Sequence, residues 1–145
     1  MFLNTYHHSL DNKGRLMIPS KYREEIGASR LVVTKGVDRN LVVFTMEGFE
    51  QYVGSLKSLQ GSPEKARRLK RFLASSAYDL KLDAQGRILL SEELRDYAQI
   101  SKEAVVTGNM DNFEIWNEEA WKRQDALLSD AEGINSDLEE LGMLL

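Results

Sequence analysis

Two stretches of this chain are near-copies of each other: Leu10-Asp11-Asn12-Lys13-Gly14-Arg15-Leu16 and Leu82-Asp83-Ala84-Gln85-Gly86-Arg87-Ile88. They lie 72 residues apart, and the same offset carries Tyr6 onto Tyr78, Ile18 onto Leu90, Tyr22 onto Leu94 and Arg23 onto Arg95. Leu31-Val32-Val33-Thr34 meets Ala104-Val105-Val106-Thr107 after a one-residue slip; Phe44 and Phe49 then fall on Trp116 and Trp121 with the offset of 72 restored. One Asp-x-x-Gly-Arg is a weak signal. Two of them, set in matching apolar patterns at one offset, mark an internal duplication.

Each copy reads the same way. A short extended stretch leads into Asp-x-x-Gly-Arg and a second follows, Leu16–Ile18 or Ile88–Leu90. Glycine supplies the positive φ that the turn needs, and the aspartate carboxylate can accept backbone N–H bonds, so the motif predicts a hairpin with a loop longer than two residues. A short helix follows, Ser20 to Ile26 stopped by Gly27, or Glu92 to Ala98 capped by Ser91. Next comes a β-rich hairpin, Leu31–Thr34 with Leu41–Phe44, or Val105–Thr107 with Phe113–Trp116. A helix closes each copy, from Met46 to about Leu59 behind Thr45, and from Glu118 to about Ser129 behind Asn117. Between the copies, Ser62 and Pro63 open a helix whose Ala66, Leu69 and Leu73 stripe one face. That segment carries five basic residues, among them Arg67, Arg68, Lys70 and Arg71, against Glu64 alone. It reads either as a solvated face or as a basic binding patch. The organisation expected is a first module over 1–60, a basic linking helix over 61–75, a second module over 76–130 and an acidic tail over 131–145. In the tail, Leu138, Leu141 and Leu144 recur at i, i+3, i+6, as a short docking helix or a frayed end.

The 145 residues include 19 Lys+Arg against 23 Asp+Glu and no cysteine, for a net charge of −4. The imbalance is local: from Asn117 onward there are two basic and eight acidic residues, so the first 116 carry 17 basic against 15 acidic. A pI near 5.3 argues against indiscriminate coating of nucleic acid but leaves room for a local basic patch. Without cysteine there are no disulfides, no thiolate metal site and no catalytic thiol. No run of about 18 apolar residues is present, so no membrane span is expected. MFLNTYHHSL has neither a basic n-region nor an apolar h-region, so no secretory leader is expected and a cytoplasmic location follows.

Catalysis finds little support. Asp11 and Asp83 occupy the same turn position of their copies, where a capping role suffices, and no nucleophile or base stands beside them. His7 and His8 are adjacent on a strand and point to opposite faces, so no metal site is expected. No glycine-rich phosphate cradle is present, and no cofactor is expected. Binding fares better. Arg15 and Arg87 directly follow the turn glycines, and Lys13 adds a cation to the first loop. They read either as ion pairs to Asp11 and Asp83 across the turn, or as guanidinium groups at rigid tips that bond phosphate or the O6/N7 edge of guanine.

The opening MFLNTYHHSLDNKGRLMIPSKYRE, with DAQGRILLSEELR and FEIWNEEAW, resembles the MraZ family of bacterial transcriptional regulators over roughly residues 1–125. The resemblance implies an α+β fold of two tandem AbrB-type swapped-hairpin modules, forming a small pseudo-symmetric β-barrel with flanking helices. It implies a nucleoid-associated regulator, a repressor, that binds short direct repeats in double-stranded DNA upstream of the division and cell-wall gene cluster, its own promoter included. It implies a ring-shaped homo-oligomer, and it places DNA contacts at Arg15 and Arg87, with Asp11 and Asp83 as motif aspartates. Lys13 and Gln85 occupy equivalent loop positions, and Ser91 stands where the first copy has Pro19, so the two loops need not read DNA equally. The alternative is a ring-forming scaffold or protein-interaction module without DNA binding, in which the arginine loops make subunit contacts.

Overall fold

In the computed structural model, which describes residues 1–58, 61–143 and 145, fourteen elements follow one another in two matching series. The first copy contributes β1 (Thr5–Ser9), β2 (Arg15–Met17), α1 (Ser20–Ile26), β3 (Leu31–Lys35), β4 (Leu41–Thr45) and α2 (Met46–Leu56). After α3 (Pro63–Ser75), the second contributes β5 (Tyr78–Leu80), β6 (Arg87–Leu89), α4 (Glu92–Ala98), β7 (Glu103–Gly108), β8 (Phe113–Asn117) and α5 (Glu118–Leu128), and α6 (Ala131–Leu141) ends the series.

Local chemistry accounts for the element boundaries. Gly27 ends α1 at φ 58°, and Gln99 ends α4 in the left-handed region. The Thr45 hydroxyl accepts from Gly48 N–H, Ser91 from Leu94 N–H and the Asn117 amide oxygen from Ala120 N–H, so α2, α4 and α5 are each capped by the expected residue. Ser62 departs from expectation: it sits at the N-cap of α3 but its side chain makes no capping bond, and Pro63 alone, lacking an N–H, eases that terminus. α2 ends at Leu56, and Leu59, to which the sequence extends it, lies outside the described residues. The acidic tail is helical as α6, although Leu144 of its expected stripe also lies outside the described residues.

The strand pairing corrects the expected local hairpins. β1 and β2 meet only at a single bridge, Leu10 to Leu16, and each finds its real partner in the other copy. β1 pairs with β7, His7 opposite Val105, while β5 pairs with β3, Asp79 opposite Val32. Each first strand therefore flanks the other copy's hairpin, giving an antiparallel sheet of order β1-β7-β8-β4-β3-β5. The sheet is open, with β1 and β5 as edges, so it does not close into the expected barrel. The two copies are related by a local two-fold: Leu16 faces its own counterpart Ile88 in the β2–β6 ladder, and Val42 faces its counterpart Glu114 between β4 and β8.

The core lies between these ladders. Leu16, Ile18, Ile88, Leu90 and Leu94 are fully buried together with Val33, Val43, Val106, Phe113 and Ile115. Phe2, Tyr22 and Phe113 form a ring cluster with centroids 5.0–5.3 Å apart. The Tyr22 hydroxyl donates to the Leu3 and Asn4 carbonyls, which ties the N-terminus over α1, and burial pushes its pKa up to about 12. By contrast α2 and α5 have no fully buried residue, and Tyr52, Leu127 and Leu128 are exposed.

Candidate nucleic-acid interface

The two Asp-x-x-Gly-Arg turns are built alike. Asp11 Oδ1 accepts from the backbone N–H of Lys13 at 3.0 Å and of Arg15 at 2.9 Å, and Oδ2 accepts from Arg15 Nε at 2.6 Å. Asp83 Oδ1 accepts from Gln85 and Arg87 N–H, both at 2.9 Å, and Oδ2 from Arg87 Nε at 2.8 Å. Gly14 and Gly86 close the turns at φ 82° and 83°. Each aspartate thus holds both the loop backbone and the arginine. The bond from the Arg15 N–H, more than the guanidinium, lowers the Asp11 pKa to about 2, and the equivalent bond from Arg87 N–H lowers that of Asp83. Carboxylates so committed are acceptors at neutral pH, without a proton to donate as a general acid.

The arginines are not free tips. Their side chains retain 32% and 24% exposure, and the ion pair across the turn is formed in both copies. Engagement through Nε orients the guanidinium, and for Arg15 it leaves the Nη atoms without a partner among the described residues. Arg87 is more committed: Nη2 donates to Gln85 Oε1 at 3.3 Å, and Nη1 lies 3.6 Å from Asp11 of the other loop. Lys13 is exposed and makes no ion pair among the described residues. The exposed Gln85 spends its amide oxygen on Arg87, so the two loops differ electrostatically as well as in sequence.

The β2–β6 ladder brings the loops together, and two further bonds lock them: Ile18 N–H donates to the Gly86 carbonyl and Leu90 N–H to the Gly14 carbonyl, both at 3.0 Å. Two arginines that the motif alone does not reveal complete the arrangement. Arg95 of α4 lies over Gly14 and donates through Nε to the Leu90 carbonyl at 3.1 Å, whereas Arg23 of α1 lies over Gly86 with its buried Nε unpartnered among the described residues. Their signal was the offset of 72 that relates Arg23 to Arg95. Five cations, Lys13, Arg15, Arg23, Arg87 and Arg95, thus lie on or beside the two loops, against the two loop carboxylates, on a chain of net charge −4.

The other expected patch, Arg67, Arg68, Lys70 and Arg71, is exposed on α3, an element packed against β3 and separate from the ladder. His7 is exposed and His8 partly buried on β1, and burial lowers the His8 pKa. Among the described residues no group of three or more His, Asp or Glu side chains could hold a metal ion. Nor is any described helix long and apolar enough to cross a membrane.

Fold and loops together define an internally duplicated α+β protein whose halves exchange strands and present paired Asp-x-x-Gly-Arg turns on one basic face. A family model described as "MraZ protein, putative antitoxin-like" matches twice in tandem, over residues 1–72 and 73–141. A protein of Moorella thermoacetica named "Transcriptional regulator MraZ" is 45% identical over 122 residues, covering 84% of this chain and 85% of its own. Relatives of the same name from Herpetosiphon aurantiacus and Caldicellulosiruptor saccharolyticus are 46% and 40% identical, the latter over 99% of this chain and 100% of its own. The chain belongs to the MraZ family.

Two outcomes follow from the turns. Gly86→Val forces a β-branched residue to φ 83° and sets Cβ 2.5 Å from Arg23 Cδ. It is expected to destabilise the fold by about 1–3 kcal/mol, read as a lower melting temperature, and wild-type melting would refute this account of the turn. For Asp11, the folded pKa of about 2 lies below the ordinary 3.8, so its contribution is complete above that value and disappears as pH falls toward 2. Asp11→Asn should therefore flatten the acid limb of a stability-against-pH curve below about pH 4, and an unchanged limb would contradict the assignment.

Proposed function

We propose that this protein is a sequence-specific, DNA-binding transcriptional regulator. It acts as a repressor on short direct repeats upstream of the bacterial division and cell-wall gene cluster, its own promoter included. The observation that carries the reading is the pairing of the two arginine loops on one basic face, each guanidinium already oriented by its aspartate. The shared name of the relatives supports the regulatory role. In this reading the strand exchange between copies is the AbrB-type arrangement, with modules over 1–60 and 76–130, a linking helix over 61–75 and a tail over 131–145.

Arg15 is the principal base reader, because its Nη edge is unengaged and Lys13 stands beside it to meet phosphate. Arg87 and Gln85 contribute less, being bonded to each other. Arg67, Arg68, Lys70 and Arg71 add sequence-independent phosphate attraction. The protein works without a cofactor or metal and without catalysis, in the cytoplasm and at the nucleoid. Exposed apolar residues on α2 and α5 favour assembly of copies into a ring.

Arg15→Ala should weaken operator binding by about 1–3 kcal/mol in a gel shift while leaving the fold intact, and Lys13→Ala should reduce the slope of log affinity against log salt by about 1. Normal operator affinity in folded Arg15→Ala would sink the DNA-contact assignment. Light scattering should report a mass several times 16.5 kDa, whereas a monomer across micromolar concentrations would remove the ring and leave the paired arginine loops of one chain to bind DNA unaided.

A further inference from the structure

Two helices leave amphipathic faces uncovered. α3 turns Leu73 onto β3, where the Thr34 hydroxyl donates to the Leu73 carbonyl at 3.1 Å. The adjoining face carries Lys65, Arg68, Leu69 and Phe72 at i, i+3, i+4 and i+7. With Val37 from the β3–β4 turn and Tyr97 from α4, these residues line an open groove of about 490 Å3. The groove is apolar along its length and basic at its edge, and Val37 is 80% exposed. Its floor is held in place: the Tyr97 hydroxyl donates to the Gly36 carbonyl, and the Lys35 and Arg39 cations lie over the Tyr97 ring at 5.2 and 4.9 Å. Of the α3 cations, none makes an ion pair among the described residues.

α6 has the opposite character. Ile134, Leu138 and Leu141 stripe it at i, i+4 and i+7, none of its described residues is fully buried, and Leu141 is 74% exposed. Glu132, Asp137, Glu139 and Glu140 are unrelieved by any basic residue on the helix and form no ion pair among the described residues. Helical spacing sets Asp137 at the border of the apolar stripe and Glu140 farther round on the same side. The turn into α6 is tight: Ser129 N–H donates to the Asp125 carbonyl at 2.9 Å and Ile134 N–H to the Asp130 carbonyl at 3.0 Å. That turn holds α6 against α5, and no α6 residue lines the groove on α3.

We propose that the groove on α3 is a receptor for the α6 helix of a second copy of this chain. Ile134, Leu138 and Leu141 seat against Val37, Leu69 and Phe72, while Asp137 and Glu140 face Lys65 and Arg68. Both faces use the same helical spacing, and an acidic helix meets a basic one. Each uncovered surface thereby explains the other, and the charge pattern specifies which copy-to-copy contact forms. The contact needs neither the arginine loops nor DNA; it takes Arg68 out of the secondary phosphate-attracting patch and leaves Arg67, Lys70 and Arg71 to it.

The test uses the full chain. Heavy-isotope-labelled and unlabelled protein are mixed in urea, refolded together so that copies exchange, and treated with a carbodiimide that joins carboxylates to lysines. At equal mixing, about half of the peptides linking Asp137 or Glu140 to Lys65 should carry one heavy and one light half, as random pairing of copies requires. Their yield should fall several-fold with rising salt, with Arg68→Glu and with Leu138→Asp, two exposed or partly exposed positions whose variants should keep the parent circular dichroism. Same-isotope links alone would mean that α6 folds back on its own groove and would overturn the proposal. So would α6 carboxylates linked to other lysines such as Lys13 or Lys21, or no α6 link at all.

Discussion

A two-stranded ribbon three residues long cannot persist alone in water, because its few ladder bonds do not offset the entropy of ordering the chain. β2 and β6 form such a ribbon, and they survive because Leu16 and Ile88, opposite each other at its centre, are buried beneath both copies of the fold. The pairing is possible only when both copies are present. It follows that neither arginine loop has a defined position in an isolated half: Gly14 and Gly86 each give their carbonyl to a residue that follows the other loop's strand. Loop geometry, loop spacing and the strand exchange are thus one cooperative structure.

Within each loop the aspartate does two jobs with two oxygens. Oδ1 takes the place of a backbone acceptor for the turn, and Oδ2 orients the arginine through Nε. A long, flexible cation loses rotamer freedom when it engages a partner, and here much of that freedom is already removed. Without its aspartate the arginine would keep its charge but not its direction. Arg23 and Arg95 extend the same logic from behind, each covering the glycine of the opposite loop and filling space that any side chain at that glycine would need.

The duplication, the helix caps and both β3–β4-type hairpins were legible because they depend on local chemistry: a glycine at positive φ, a hydroxyl at an N-cap, alternating apolar residues. The exchange of first strands was not legible in the residue pattern, which pointed to local hairpins; only the family resemblance implied swapped hairpins. β1 and β5 carry patterns that suit pairing with either copy, and as edge strands without a buried residue they are placed by which hairpin edge the assembled copies offer them. Asp11 and Asp83 could be read as turn builders from their spacing to Gly14 and Gly86. Arg23, on a seven-residue helix, belongs to no motif, and only packing places it over Gly86 with its Nε buried. The failure of Ser62 to cap α3 is likewise invisible to a motif, because the residue type is right and only the side-chain geometry differs.

Fusing both halves into one chain has a consequence for direction. Two identical subunits meeting on a two-fold must present identical halves, whereas here Lys13 faces a world in which its counterpart is Gln85, and Pro19 one in which its counterpart is Ser91. The shape is nearly symmetric but the chemistry has a front and a back. A surface of that kind can distinguish the two orientations of a linear ligand lying across it, and copies arranged head to tail would all face the same way along it.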